Sequence, residues 1–411
     1  MSLRERIETE VNAAGWWIIA EVLTAPAQIL ALLVVRLLRP VFLVQTACLE
    51  ACSIGGLAAK TDLALLEISL QGRKAGRRTK VFWYLPEQRV SNEFLLNLIK
   101  PRTTIVPRWM IIVAVRLNKL IPGGNVHDCT HSGRDTKNLL DRTGPQFHLS
   151  IAETKSGNQK LADIGIPVGA KFVCLNVRDS AYNKTTQPRK DWQFFDYRNC
   201  AIENYVTAAE ELTRRGYYVF RMGVIVERPL ISSNPMIIDY ASNGMRSDFM
   251  DIFLGANCEF CISHGTGFDG VPYVFRRPIL YVNAVPIGQL QTFSEKFLLQ
   301  TKNLVWTETG VRLTLREIFE AHLWLATNSS DYSKAGVSLV ENTPQENLDA
   351  VIEMVDRIEG KWIETPARAS LQQKFWATYA NCMSSEERAW HGEFRAHYVS
   401  SALEKDPGRF D

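Results

Sequence analysis

Two arginines and a glycine-containing turn stand directly after short apolar runs in the middle of the chain. They are Arg178, Arg221 and the turn 265–270, whose sequence is GTGFDG. A guanidinium is a planar fork of N–H donors that fits phosphate oxygens, and backbone N–H groups of a glycine-containing turn can bind the same anion. The three features therefore predict a diphosphate site. The structural alternative for Arg178 and Asp179 is a charge pair at the end of a strand.

The same turn matches the dinucleotide motif G-x-G-x-x-G. It follows a predicted strand and opens a predicted helix, but it comes late in its region rather than after the first strand. No Asp or Glu occurs between Gly270 and Glu295, where a ribose-binding acid would be expected. Nicotinamide binding is therefore disfavoured, whereas the turn still fits an anion-binding role.

Other polar residues stand where helices are predicted to begin. Arg246, Ser247 and Asp248 precede one helix, where capping is as good an interpretation as contact with a sugar hydroxyl. Asp196 and Arg198 follow a polar loop and are interpreted as acceptor-binding or structural residues.

The sequence predicts no metal site and no cofactor. It contains no Asp-x-Asp, H-E-x-x-H, P-loop or G-x-S-x-G motif. The eight cysteines are irregularly spaced and are predicted to be reduced thiols, since Cys258 and Cys261 lack a second pair that would complete a zinc site.

These residues need a scaffold of strands and helices. Short apolar runs alternate with helical patterns, which is typical of a parallel sheet covered on both faces, with ligands beyond the carboxyl ends of its strands. The predicted strands are 171–177, 217–223, 257–263 and 279–283.

The remaining chain gives the outline of the domains. The pattern predicts strands over 62–69 and 81–84, helices over 91–100 and 109–120, and a polar loop over 123–146. Helices are predicted from residue 313 onward. We therefore expect an N-terminal segment over 1–50, an α/β lobe over 51–164, a Rossmann-like lobe over 165–310 and a helical tail over 311–411.

Residues 16–44 are strongly apolar, but Glu21, Arg36 and Arg39 interrupt them, and the uncharged stretch 22–35 contains Pro26. That stretch is short for a membrane span, which needs about 20 residues. Acidic residues near the start also disfavour a cleaved signal peptide. Two interpretations remain: a helix lying at the membrane surface through residues 13–44, or a helical hairpin packed on the protein.

Composition excludes several classes of protein. The chain has 411 residues, 46% of them hydrophobic and 22% charged, with a formal charge of +3. These values indicate a folded protein and exclude disorder, collagen and a polytopic membrane protein. The weak positive charge also argues against a dedicated nucleic-acid binder.

Several segments together resemble a family of bacterial glycosyltransferases linked to surface-polysaccharide synthesis. The resemblance is sharpest over 170–290 and is carried by 177–182, 196–199, 216–223, Asp239 with Tyr240, 246–248, 265–269 and 277–283. It implies two Rossmann-like lobes of GT-B type, a nucleotide-sugar donor, a glycan or lipid-linked acceptor, and a place at the cytoplasmic face of the cell membrane. One departure is Cys52 in the segment CSIGG ending at Gly55 and Gly56, where a basic residue is expected.

The resemblance and the patterns together assign candidate roles. Asp179 is the first candidate for the general base, with His127 or His131 behind it, and Arg178 would stabilise the leaving diphosphate. A non-catalytic glycan-binding subunit and a nicotinamide-dependent enzyme are the alternatives. The donor-binding candidates are Arg178, Tyr182, Arg221, Gly223, Asp239, Arg246, Ser247, Asp248, His264, Gly265, Thr266, Gly267, Asp269 and Asn283.

Overall fold

The structure is a computed structural model that describes residues 3–74 and 78–410. The chain separates into two units. Unit 1 comprises Met1–Arg134 and Pro145–His148, and unit 2 comprises Asp135–Gly144 and Leu149–Asp411.

Unit 1 pairs two strands in parallel, with Phe42 opposite Arg78 and Cys48 opposite Tyr84. Single bridges from Thr46 to Asp128 and from Trp83 to Ile105 extend this small sheet. Its elements are α1 (Leu3–Leu38), β1 (Phe42–Cys48), α2 (Thr61–Lys74), β2 (Arg78–Tyr84), α3 (Glu93–Ile99) and α4 (Ile112–Leu120).

The prediction of a strand over 62–69 is wrong, because this segment forms the first part of α2. Its buried residues include Leu63, Ala64 and Leu66. A short apolar run does not distinguish a buried strand from a buried helix by its periodicity, and leucine, alanine and glutamate favour the helix. The strand predicted over 81–84 is confirmed within β2.

Unit 2 contains a seven-stranded sheet in the order β11-β8-β7-β6-β3-β4-β5, and every pairing in it is parallel. The predicted parallel sheet is confirmed. β9 and β10 pair separately and antiparallel. The strands are β3 (Phe172–Asn176), β4 (Tyr218–Arg221), β5 (Ile237–Ile238), β6 (Phe260–Ser263), β7 (Ile279–Ala284), β8 (Phe297–Thr301), β9 (Asn303–Trp306), β10 (Val337–Val340) and β11 (His397–Tyr398).

Helices cover this sheet and continue to the C-terminus. The prediction of helices from residue 313 onward is confirmed in part, for example by α13, which begins at a capping box formed by Thr343 and Glu346. The helices of unit 2 are α5 (Leu139–Arg142), α6 (Ile151–Ala162), α7 (Ala181–Thr186), α8 (Val206–Arg214), α9 (Asp248–Asn257), α10 (Gly270–Val274), α11 (Leu315–Glu320), α12 (Ser329–Lys334), α13 (Pro344–Ile358), α14 (Pro366–Asn381), α15 (Ser385–His391) and α16 (Ser400–Lys405).

The last hundred residues are part of the core of unit 2. Val351, Met354 and Val355 on α13 pack in one buried cluster with Leu212 of α8 and Leu298 of β8. The segment after residue 311 also supplies β10 and β11, which the sequence does not predict. Strand β11 has two residues, so no alternation could be recognised there.

Truncation of Met354 tests this packing. Met354 is 3% exposed, so Met354→Ala should lower the free energy of unfolding of unit 2 by about 2–5 kcal/mol. Ile363→Ala is the matched control, because Ile363 is 70% exposed and its loss should change stability by less than about 0.5 kcal/mol. Urea unfolding followed by circular dichroism measures both, and equal effects would contradict the integral position of α13.

Candidate functional site

Polar residues gather where the carboxyl ends of β3, β4, β6, β7 and β8 meet at one edge of the sheet. Parallel strands bring these ends together, as the sequence pattern predicts. The residues at this edge include Arg178, Arg221, His264, Asn283 and Lys302.

His264 is 2% exposed and sits in a hydrogen-bond chain at this edge. Its Nδ1 accepts the backbone N–H of Arg178 at 3.2 Å, and its Nε2 lies 2.6 Å from the hydroxyl of Tyr205. The amide of Asn283 donates to the same hydroxyl at 2.7 Å. Burial lowers the pKa of His264 well below its usual range, and the charges of Lys302, Arg178 and Arg198 lower it further. The imidazole is therefore neutral and protonated on Nε2.

Three cations lie around this histidine. Among the described residues, no carboxylate is within ion-pair distance of Arg178, Arg198 or Lys302. Arg198 donates to the carbonyl oxygen of Gly265, and Lys302 donates to the carbonyl oxygen of Asn199 at 2.6 Å. Arg178 lies over the ring of Phe195, with 5.6 Å between the guanidinium carbon and the ring centre.

The electrostatics of these cations indicate an anion site. Burial, together with the neighbouring charge of Arg198, lowers the pKa of Arg178 to about 10. The Nε atoms of Arg178 and Arg198 are buried and have no hydrogen-bond partner. A buried polar group without a partner is costly, and phosphate oxygens are suitable acceptors for guanidinium donors.

The glycine-containing turn lies beside the cations. Gly265 has a φ of +71°, a conformation that favours glycine. The side chain of Asn176 donates to the hydroxyl of Thr266, and Ser263 donates to Asp269 at 3.2 Å. Burial raises the pKa of Asp269 to about 7, although Ser263, Arg198 and the backbone at Gly270 and Thr266 oppose the rise. The turn is thus held at both ends by side chains of β3 and β6, while Gly267 at its tip is exposed.

Arg221 occupies a different position from the one expected of a phosphate ligand. It is 1% exposed and lies between Asp239, at 3.4 Å, and Asp179, at 3.7 Å. Asp179 also accepts the backbone N–H groups of Ala181 and Glu227. Through these contacts, Arg221 and Asp179 stabilise the loop after β4. Gly223 in this loop has a φ of +156°, and a Cβ there would lie 2.6 Å from Val226.

The residues 246–251 form the start of α9. Ser247 accepts the backbone N–H of Met250, which is the capping interpretation of this residue. Arg246 pairs with Asp251 at 2.9 Å and with Asp248 at 3.2 Å. Burial raises the pKa of Asp251 to about 6. Tyr182 lies on α7 and is half-buried.

A cavity of about 660 Å³ opens beside the cations. Asp196 is exposed, and its carboxylate accepts a hydrogen bond from the side chain of Asn199 at 2.8 Å. Carboxylates and hydroxyls are suitable partners for sugar hydroxyl groups. The residues that line the cavity include Asp179, Asp196, Glu227, Lys302, Ser329 and Glu341.

His127, His131, Gly55 and Gly56 belong to unit 1. His127 is 4% exposed, and its Nδ1 lies 2.7 Å from the carbonyl oxygen of Val44. His131 accepts the backbone N–H of Gly133 on Nδ1 and lies 3.4 Å from Glu67 through Nε2. Gly55 and Gly56 begin a π-helical turn, Gly56–Lys60.

Sequence reasoning missed Asn176, Tyr205 and Lys302. Tyr205 stands at helical spacing with Ala209 and Leu212, and this pattern predicts a core residue rather than a site residue. Lys302 directly follows β8, whose five residues are all buried, and is itself 3% exposed. Since buried lysines are rare, a lysine at the end of a predicted buried strand is a signal that could have identified it. Within the part of the chain that the structure describes, no cluster of histidine, cysteine and acidic residues is arranged to hold a metal ion.

Comparison with known proteins gives similarity to solved structures alone. No family profile matches the sequence, and no curated protein matches it. The structure "E. coli ADP-heptose lps heptosyltransferase II" aligns with 77% of this chain and 99% of its own, at 14% identity and a TM-score of 0.37. A glycosyl transferase of family 9 from Veillonella parvula aligns with 76% and 97%, at 9% identity and a TM-score of 0.41. E. coli heptosyltransferase WaaC with ADP-2-deoxy-2-fluoro heptose aligns with 63% and 93%, at 9% identity and a TM-score of 0.29. Because these values are low, the chemistry of this chain has to be inferred from its own residues.

The raised pKa of Asp269 predicts a pH effect. Its folded value of about 7 lies above the ordinary 3.8, so ionisation destabilises the fold progressively between these two values and fully above the upper one. Asp269→Asn should therefore gain stability relative to the wild type as the pH rises from about 4 to 8, by about 1 kcal/mol or more.

Thermal unfolding at a series of pH values measures this difference. The exposed Asp191 provides the control variant Asp191→Asn. A stability difference between Asp269→Asn and the wild type that does not change with pH would contradict the prediction.

Proposed function

We propose that unit 2 binds the diphosphate of a nucleotide-sugar donor and that the protein transfers the sugar to a glycan or lipid-linked acceptor. The observation that carries the proposal is the group of cations Arg178, Arg198 and Lys302, which has no carboxylate partner among the described residues. A diphosphate at this edge would supply acceptors for the unpartnered Nε atoms of the two arginines.

The cavity beside the cations supports a donor that carries hydroxyl groups as well as phosphates. Its lining combines acids with the cation Lys302. A nucleotide-sugar has both chemistries, since its phosphates suit cations and its ribose and sugar hydroxyls suit carboxylates. We assign donor binding to unit 2 and acceptor binding to unit 1, in the manner of a GT-B type enzyme.

The transfer itself exchanges one bond at the anomeric carbon for another. The bond from this carbon to the diphosphate oxygen breaks, and its electron pair leaves with the diphosphate. A bond to the acceptor hydroxyl oxygen forms, and the hydroxyl proton passes to a base. Arg178, Arg198 and Lys302 stabilise the charge that develops on the leaving group.

Among the acids of the cavity, Asp196 is the best placed to take the proton. Asp179 accepts two backbone N–H groups and faces Arg221, so its oxygens are occupied. Asp196 is exposed, and among the described residues its carboxylate accepts a hydrogen bond only from the side chain of Asn199. It lies in the short helical segment Gln193–Arg198, which also carries Phe195 and Arg198. We therefore assign positioning to Asp179 and the base to Asp196.

A non-catalytic glycan-binding subunit remains the second candidate. The observation that favours it is the engagement of Asp179, which was the first candidate for a base. Slow hydrolysis of a nucleotide-sugar without acceptor would distinguish an enzyme from such a subunit.

Binding of the donor nucleotide can be tested by thermal shift with UDP, GDP, ADP, CMP and NAD. A nucleoside diphosphate at about 100 times its Kd should stabilise the protein by roughly 2.7 kcal/mol. Arg178→Ala should abolish the shift and leave the melting temperature without ligand nearly unchanged. Arg214→Ala is the control, because Arg214 is an exposed residue at the C-terminal end of α8. It precedes the start of β4 and therefore lies away from the carboxyl ends of the strands. A full shift in Arg178→Ala would remove this residue from the site, and a shift with NAD alone would favour the nicotinamide enzyme.

The base assignment predicts a loss of turnover in Asp196→Asn. General-base catalysis contributes about 10²–10⁴-fold, so kcat should fall by this range while donor binding is retained. Glu227→Gln is the matched control, since Glu227 is an exposed acid of the same cavity. Asp179→Asn should instead lower stability, because it weakens the contacts that hold the loop after β4. Wild-type kcat in Asp196→Asn, measured with the donor identified by thermal shift, would exclude Asp196 as the base.

A further inference from the structure

Three polar residues in the second half of α1, Glu21, Gln28 and Arg36, face the body of unit 1. Glu21 is 7% exposed and pairs with Arg108 at 2.5 Å. Gln28 is 4% exposed, donates to the carbonyl oxygen of Trp109 at 2.7 Å and accepts the backbone N–H of Val113. Arg36 donates to Asn118 at 2.7 Å and to the carbonyl oxygen of Pro122 at 2.6 Å. These bonds make α1 an integral part of unit 1.

Over residues 16–38, the opposite face of α1 is apolar and exposed. Four strongly exposed apolar residues follow one another every seven positions, which places them on one side of the helix. This apolar strip consists of Trp16, Leu23, Leu30 and Leu37, which are 73%, 76%, 63% and 79% exposed. A helix of a water-soluble protein normally has the reverse arrangement, with its apolar face toward the protein. The strip therefore requires an apolar partner outside unit 1.

The contacts of α1 with unit 1 restrict the orientation that the helix can take in a bilayer. By length and composition, Gly15–Leu38 could cross a membrane. The polar contacts with unit 1, however, run from Glu21 to Arg36, which is about 22 Å of helix at 1.5 Å per residue. Arg116 and Lys119 on the adjoining α4 are 63% and 62% exposed. Because these charges cannot enter the hydrocarbon core cheaply, α1 fits a bilayer with its axis along the surface.

The charge of unit 1 identifies the kind of lipid. Unit 1 contains 17 lysines and arginines against 10 acidic residues, a formal charge of +7. The rest of the chain contains 30 against 34, a formal charge of −4. The positive charge is thus concentrated in the unit that carries the apolar strip. Cationic residues near a membrane surface are attracted to anionic headgroups.

We propose that α1 lies in the plane of a membrane interface, with its apolar strip in the lipid and the cationic unit 1 on anionic headgroups. This arrangement is independent of the reaction that the protein catalyses. In this arrangement the apolar strip binds lipid and not a second copy of the chain.

Flotation of the full-length protein with vesicles tests the proposal. The protein should float with phosphatidylcholine vesicles containing 30% phosphatidylglycerol, and at least about tenfold less with phosphatidylcholine alone. Leu23→Glu with Leu30→Glu should abolish flotation. Ile231→Glu with Ile363→Glu is the matched control, because these unit 2 residues are 82% and 70% exposed and the change in charge is the same. Circular dichroism should show the same fold for both double variants.

Three results would overturn the proposal. The first is unchanged flotation of Leu23→Glu with Leu30→Glu. The second is a wild-type dimer in lipid-free sedimentation that does not float and becomes monomeric in this variant, since the strip would then bind a second copy. The third is protection of an N-terminal tag from protease added outside the vesicles, since that would require α1 to span the bilayer.

Discussion

The candidate site depends on a neutral histidine. His264 accepts a backbone N–H of the segment after β3 and contacts Tyr205, which accepts a hydrogen bond from Asn283 near the end of β7. Asn283 in turn exchanges hydrogen bonds with Asn342, directly before α13. Protonation of Nδ1 would break the first of these bonds and place a fourth positive charge among three cations. These hydrogen bonds therefore hold the carboxyl ends of the strands in place, and they require that His264 stays neutral.

The same arrangement links anion binding to stability. Arg178 and Arg198 repel each other, and the pKa of Arg178 is lowered in consequence of burial and of that repulsion. An anion at this position offsets the repulsion, so its binding energy includes relief of a cost that the unbound protein carries. Asp179, which follows Arg178 directly, is committed instead to Arg221 and two backbone N–H groups. Because Asp179 is engaged in this way, it does not neutralise the cations, and they stay available for a ligand.

The sequence predicts the sheet of unit 2 well because fully buried parallel strands have a plain signal. The residues of β3, β6 and β7 are buried without exception, and their continuous apolar runs are recognisable. The helix over 62–69 was misinterpreted because a run of eight residues carries too few turns to establish a period. Lys302 and Tyr205 were missed for a different reason. Their partners, Asn199 and His264, are 103 residues from Lys302 and 59 from Tyr205, and such pairs are created by the topology rather than by local pattern.

In the N-terminal helix, counting charged residues along the sequence does not show which side of the helix they occupy. Glu21 and Arg36 interrupt the apolar run and weigh against a membrane span when residues are counted along the chain. In three dimensions both side chains bond to unit 1, so over residues 16–38 they leave the outer face without charge. The interruptions therefore do not make the segment less suited to lipid, but restrict which side of it can meet lipid. A helix whose polar side is satisfied by protein over about 22 Å has one exposed apolar side, and this one-sidedness is the property that distinguishes an in-plane helix from a spanning one.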